Sequence, residues 1–124
     1  MNVVDSTGWL EYFSNGKNAG FFAPAIEDSL NVIVPTISLF EVFKRVLVEK
    51  NRDDALEAVA IMKEGRIIDL DDSLALTAAE LSYELKLPLA DSIILATARA
   101  YEARLWTQDA HFKDIEGVKF VEKD

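Results

Sequence analysis

Asp5, Glu41, Asp91 and Asp109 are four carboxylates that stand where short predicted elements begin or end. Carboxylates brought within a few ångströms of one another repel, and loss of solvent raises the pKa of some of them unless a cation intervenes. A divalent metal removes that conflict. Magnesium and manganese prefer hard oxygen ligands, and magnesium is commonly held by one or two carboxylates together with water and substrate phosphate. Such a centre activates water and polarises a phosphodiester, and a second ion about 3.5–4 Å away stabilises the leaving oxygen. The chemistry in view is metal-assisted hydrolysis of a phosphate ester.

The elements that must bring these acids together follow from the apolar pattern. Val3-Val4 is a short strand closed by Asp5, and Trp9, Leu10 and Phe13 recur at helical spacing before the break at Ser14-Asn15-Gly16. A second helix is expected around 19–29. Val32-Ile33-Val34 reads as a strand stopped by Pro35. A helix from about Ser38 follows, with Leu39, Val42, Phe43, Val46 and Leu47 on one face. Residues 53–63 form a shorter helix, and Ile67-Ile68-Asp69-Leu70 a third strand. Asp71-Asp72-Ser73 caps a helix running to about Lys86, which Leu87-Pro88 breaks. A helix over 89–104, a strand Leu105-Trp106-Thr107 and a last strand over 118–121 complete the chain. Strands separated by helices predict an α/β domain with a mainly parallel sheet.

In such a sheet every strand ends on one edge, where the next helix begins. Asp5 closes the first strand, Glu41 lies in the first turn after the second, and Asp109 lies just beyond the fourth. Asp91 opens the helix that leads back into the fourth. All four therefore fall on the carboxyl edge, where open α/β folds bind ligands. Each acid also has an ordinary structural explanation. Asp5 and Asp109 can be helix N-caps. Glu41 can close a capping box with Ser38, and Asp91 can complement a helix dipole.

Composition sets bounds on this reading. The 124 residues suit one compact domain, 1–124, with 50% hydrophobic and 28% charged residues. No apolar run approaches the ~20 residues of a membrane span, and the start lacks a basic signal region, so cytoplasmic residence is expected. Without cysteine there is no disulfide, thiolate ligand or cysteine nucleophile. The net charge of −9 opposes a nucleic-acid partner. Bound cations, or a homodimer aligning small basic patches such as Lys44-Arg45, would offset it.

Four segments, in order, resemble the PIN-domain ribonucleases, and within them the VapC-type toxins of toxin–antitoxin pairs. They are Val4-Asp5-Ser6-Thr7-Gly8-Trp9-Leu10, Ile37-Ser38-Leu39-Phe40-Glu41-Val42, the run from Leu87 to Ala98, and Leu105-Trp106-Thr107-Gln108-Asp109-Ala110-His111-Phe112. The resemblance implies a three-layer α/β/α domain with parallel strand order 3-2-1-4-5. It also implies Mg2+ or Mn2+ ligation by Asp5, Glu41, Asp91 and Asp109, with Asp5 and Asp91 central. Ser6 and Thr107 occupy positions of polar support behind the ligands. RNA as substrate and a small VapB-like antitoxin as partner belong to the same implication.

Other features are read more plainly. His111, the single histidine, is a formal candidate for a general base, but metal-bound water does not need one, and it is expected at the surface or in a cap. Asp69, Asp71 and Asp72 suit a solvated helix start, and Trp9, Trp106 and Phe112 suit the core rather than base stacking. Lys44, Arg45, Lys50 and Arg52 form the compact basic group, a solvated face or a contact for phosphate or antitoxin. An aspartyl phosphatase would want Asp where Thr7 stands, and a receiver domain would want adjacent acids. A non-catalytic PIN-like module that binds RNA or a protein is the stronger alternative, though it should have lost a ligand.

Overall fold

Alternation along three short apolar strands divides the molecule into layers. The computed structural model describes residues 1–123. β1 (Asn2–Val4) lies at the centre, between β2 (Val32–Pro35) and β4 (Arg104–Thr107), with β3 (Arg66–Ile68) outside β2 and β5 (Val118–Phe120) outside β4. All pairings are parallel, giving the order β3-β2-β1-β4-β5. Val3 aligns with Ile33 and with Leu105, and all three point into one core. Val4 aligns with Trp106, and these two point into the other with Val32 and Val34. A strand's period of two thus sends successive side chains to opposite faces of one sheet. Its near-continuous apolar strands are those of a sheet covered on both sides.

Helices fill each face. On the first, α5 (Asp72–Leu85) and α6 (Leu89–Ala100) bury Leu74, Ala78, Leu81, Ile93, Ile94 and Leu95. On the second, α1 (Ser6–Phe13), α2 (Ala19–Ile26), α3 (Thr36–Glu49) and α4 (Arg52–Met62) bury Trp9, Phe22, Ile26, Val42, Ala58 and Met62. The layered order and strand sequence are those implied by the family resemblance. Trp9, Trp106 and Phe112 are buried, as expected of core residues. Asp71 caps α5, accepting the Leu74 N–H at 2.8 Å. No helix among the described residues is long and apolar enough to cross a membrane.

Three boundaries differ from expectation. α3 starts at Thr36, directly after Pro35, so Ser38 is inside the helix and no capping box forms; its hydroxyl is buried without a hydrogen-bond partner among the described residues. Glu41 consequently sits in the second turn rather than the first. α2 ends at Ile26, and a separate 3-10 turn covers Ser29–Asn31. α6 stops at Ala100 because Glu102 turns the chain with φ of 51°, freeing Arg104 to start β4.

Candidate metal centre

β1 runs out at Val4, and the next residue is held by the sheet rather than by a helix cap. The Asp5 N–H donates to Trp106 O at 3.0 Å, extending the β1–β4 ladder by one step. Its side chain makes no cap bond to α1, which removes the ordinary explanation for this acid. Asp5 is 2% exposed. Oδ2 accepts two hydroxyls, Thr7 Oγ1 at 2.8 Å and Thr107 Oγ1 at 2.9 Å, while Oδ1 accepts none from the described residues. Burial pushes the Asp5 carboxyl up to about 7; the two threonine hydroxyls oppose that rise, and the charges of Asp91 and Asp109 add to it.

Asp91 and Asp109 close the pocket from the neighbouring elements. Asp91, in the first turn of α6, keeps 13% of its side chain exposed. Burial raises its pKa first, Asp109 raises it further, and the hydrogen bond from His111 works against both. Asp109 follows β4, where its N–H donates to Thr107 Oγ1 at 2.9 Å. Its Oδ1 accepts the His111 N–H at 2.9 Å, capping the 3-10 turn Ala110–Phe112. The capping role expected of Asp109 is therefore real, and coexists with its place in the cluster.

His111 does more than the surface or capping role expected from sequence. Its Nδ1 lies 2.9 Å from Asp91 Oδ2 and 3.2 Å from Asp109 Oδ1. The hydrogen bond to Asp91, then the charge of Asp109, raise its pKa. One ligand atom from each of Asp91, Asp109 and His111 falls within 4.8 Å of the others. The ring is still 58% exposed, so it is a solvent-side neighbour of the acids and not a buried partner.

Glu41 reaches the same end of the sheet from α3. Its Oε1 accepts Ser6 Oγ at 2.6 Å, tying α3 to the start of α1, and its charge contributes to the raised pKa of Asp91. The polar support thus divides, with Ser6 serving Glu41 and Thr107 serving both Asp5 and Asp109. Lys44 and Arg45 lie on the exposed side of α3. Arg45 pairs with Glu49 at 3.1 Å, and Lys44 Nζ stands 5.8 Å from the Phe40 ring centroid.

Sequence reasoning passed over Thr7 and set His111 aside. Thr7 stands two residues after Asp5, a spacing at which a hydroxyl reaches back to a carboxylate, and that signal was available. His111 follows Asp109 by two residues in a tight turn, but its contact with Asp91 crosses 20 positions and has no local signature.

The donors fit a hard divalent cation. Asp5 combines a desolvated carboxyl with one oxygen already saturated by hydroxyls and a second left free, beside two further carboxylates. A carboxylate set of this kind, with an exposed imidazole at its edge, has the chemistry to hold a divalent metal ion.

No curated protein matches the chain by sequence. Among solved structures, a toxin–antitoxin complex from Klebsiella pneumoniae superposes with a TM-score of 0.79 at 26% identity, covering 96% of each chain. VapC20 of Mycobacterium tuberculosis, described as a Sarcin-Ricin loop cleaving toxin, gives 0.78 at 19% identity, over 99% of this chain and 98% of that one. VapBC2 of Rickettsia felis bound to a promoter DNA fragment gives 0.75 at 18% identity, with the same coverage. These last two likenesses establish the fold. The PIN domain profile matches residues 3–118, and the chain belongs to the PIN domain family.

Proposed function

We propose that this protein is a metal-dependent endoribonuclease and the toxin of a VapBC-type toxin–antitoxin pair, acting in the cytoplasm through one domain spanning 1–124. The observation that carries the reading is Asp5, a carboxyl buried with no cationic side chain among the described residues acting on it, its pKa raised further by the charges of Asp91 and Asp109. Folding such a group into apolar surroundings is unfavourable, and a divalent cation removes the cost. Membership of the family and the likeness to the Klebsiella pneumoniae complex support the nuclease and the toxin assignments respectively.

Asp5 and Asp91 would hold Mg2+ or Mn2+ centrally, with Glu41 and Asp109 completing the set. A cation there supplies activation of water and polarisation of the scissile phosphodiester. The chain's own residues do the positioning. Thr7 and Thr107 fix the orientation of Asp5 through Oδ2, so that Oδ1 is the oxygen presented. Ser6 fixes Glu41 from the opposite element. Thr107 also fixes the backbone of Asp109, which makes it the joint between two ligands. His111 balances Asp91 and Asp109 in the cation-free protein, its Nδ1 lying 2.9 Å from Asp91 Oδ2 and 3.2 Å from Asp109 Oδ1.

RNA is the proposed substrate despite the net charge of −9, because cations in the pocket reverse the local sign. Lys44 and Arg45 are proposed to contact RNA or the antitoxin from the exposed side of α3. A homodimer is supported by large apolar side chains left exposed on α5 and α6, Leu76 at 69%, Tyr83 at 85% and Leu89 at 76%.

The test is incubation of the purified protein, free of antitoxin, with total RNA in EDTA, Mg2+ and Mn2+, beside Asp5→Asn and Asp91→Asn. Cleavage that requires metal and both aspartates is expected. RNA bound but uncut in every condition would leave a non-catalytic binding module, and equal cutting by the variants would remove the assignment.

A further inference from the structure

We propose that Asn18 is a positioning residue for the metal centre, acting through Gln108 as a clamp on the segment that carries Thr107 and Asp109. The inference rests on the metal-centre reading above and extends it to residues outside the acid cluster.

Asn18 occupies the N-cap position of α2, where an asparagine side chain ordinarily accepts a backbone N–H of the first turn. It makes no such bond. Its Nδ2 instead donates to Gln108 Oε1 at 2.9 Å and to Glu122 O at 3.0 Å, across 90 and 104 positions of sequence. The amide has been diverted from its local task to join three segments: the α1–α2 turn, the exit of β4 and the tail after β5.

The turn is built to hold that amide in place. The Asn18 N–H donates to Glu11 Oε2 at 2.8 Å. Gly16 leaves the room this needs, since a Cβ there would stand 2.5 Å from Glu11 Cδ. Gln108 is 3% exposed, so its amide has little water to fall back on if Asn18 is lost. It stands between Thr107, whose hydroxyl binds Asp5, and Asp109, whose N–H binds that same hydroxyl. Its Nε2 is directed at Thr7 O at 3.5 Å, on the residue that supplies the second hydroxyl to Asp5. Both groups that orient Asp5 are therefore covalently next to, or in touch with, the residue that Asn18 holds. Groups bonded directly to metal ligands, as Thr7 and Thr107 are to Asp5, typically govern affinity by about 10–100-fold, and Asn18 acts one contact behind them.

The experiment is calorimetric titration of Mn2+ into the full chain for wild type, Asn18→Ala, Asn18→Asp, Gln108→Ala and the Asn18→Ala/Gln108→Ala pair. Each is run at a temperature where its far-ultraviolet circular dichroism equals that of wild type, with the metal-free Tm measured in parallel. Asn18→Asp keeps the size of the side chain and replaces the donor with a negatively charged acceptor facing Gln108 Oε1 and Glu122 O. Weaker Mn2+ binding by about 10-fold is expected for Asn18→Ala and Asn18→Asp, with the double variant no weaker than Gln108→Ala alone. Unchanged affinity in the Asn18 variants, with or without a lower Tm, would overturn the clamp and leave the metal centre standing. Additive losses in the double variant would overturn the route through Gln108. No Mn2+ binding by wild type would remove the metal-centre reading itself, and the clamp with it.

Discussion

Thr107 Oγ1 donates to Asp5 Oδ2 and accepts the N–H of Asp109, both at 2.9 Å, so one hydroxyl sets the geometry of two carboxylates that arise 104 residues apart. The last residue of β4 thereby converts the register of the sheet into the spacing of the candidate ligands. A hydroxyl in this place lowers the cost of charging Asp5, because a hydrogen bond to a carboxylate favours its ionised form.

Thr107→Val keeps the shape and removes both bonds. It is expected to weaken Mg2+ or Mn2+ binding by about 10-fold or more, while Thr107→Ser retains most of it. Metal titrations of the two variants check this. Equal affinity for valine and serine would show that shape and not the hydroxyl matters.

Asp5 also makes the cation-free protein sensitive to pH. Its folded pKa, about 7, exceeds the unfolded value of 3.8, so between these limits the folded state binds more protons than the unfolded one. Stability through this group is therefore greatest below about 4, falls as pH rises through about 7, and stays low above it. The gap corresponds to about 4 kcal/mol, an upper figure for the group. In EDTA the urea midpoint is expected to fall from pH 5 to pH 8, and 10 mM-scale Mg2+ to restore it. Asp5→Asn removes the charge, so it is expected to raise the metal-free midpoint at pH 8 while abolishing cleavage. A lower midpoint for Asp5→Asn at pH 8 would contradict the sign.

His111 reports on the same pocket from its solvent side. As the single histidine, it gives one unambiguous imidazole signal in proton NMR. In metal-free protein its pKa is expected above 6.5, held up first by Asp91. Its stabilisation is present below 6.5 and lost as pH rises through that higher value. On the proposed reading Mg2+ would compete for Asp91 and Asp109, and is expected to bring the imidazole back toward 6.5 or below. A titration curve indifferent to Mg2+ would separate His111 from the metal centre.

Much of this arrangement was legible in sequence, for a simple reason. β1, β2 and β4 are apolar runs that end at Asp5, Pro35 and Thr107, and in a parallel sheet the ends of such runs share an edge, so Asp5 and Asp109 could be placed from position alone. The spatial order of the strands came instead from family resemblance, since nothing local distinguishes β1 at the centre from β5 at the edge. What was not legible depends on backbone conformations without a residue signature. Glu102, at φ of 51°, ends α6 where a glycine would have advertised the turn. Pro35 launches α3 directly, which moved Glu41 by a turn and left Ser38 buried instead of capping. The contact of His111 with Asp91 was not legible because Asp91 comes from α6, and through-space contacts leave no periodicity.

Gly8 shows how closely α1, the helix that follows Asp5, is pressed onto the sheet. A Cβ at this position would stand 2.6 Å from Phe22 Cε1, 2.8 Å from Phe22 Cδ1 and 2.8 Å from Val4 Cγ1. Phe22 and Val4 are fully buried, so neither has space into which to retreat. In a helix, alanine gains about 1 kcal/mol over glycine in intrinsic propensity. Overpacking a core costs typically 1–3 kcal/mol, and more when backbone must shift. The second effect should win. Gly8→Ala is therefore expected to lower stability by about 1–2 kcal/mol and to displace α1, loosening Ser6 and Thr7 and weakening metal binding with it. Gly20, in α2, has no atom within 4 Å of an added Cβ, and Gly20→Ala is expected to gain several tenths of a kcal/mol. Urea melts of the two variants make the comparison, and a Gly8→Ala protein as stable as Gly20→Ala would show that α1 can lift from the sheet at no cost.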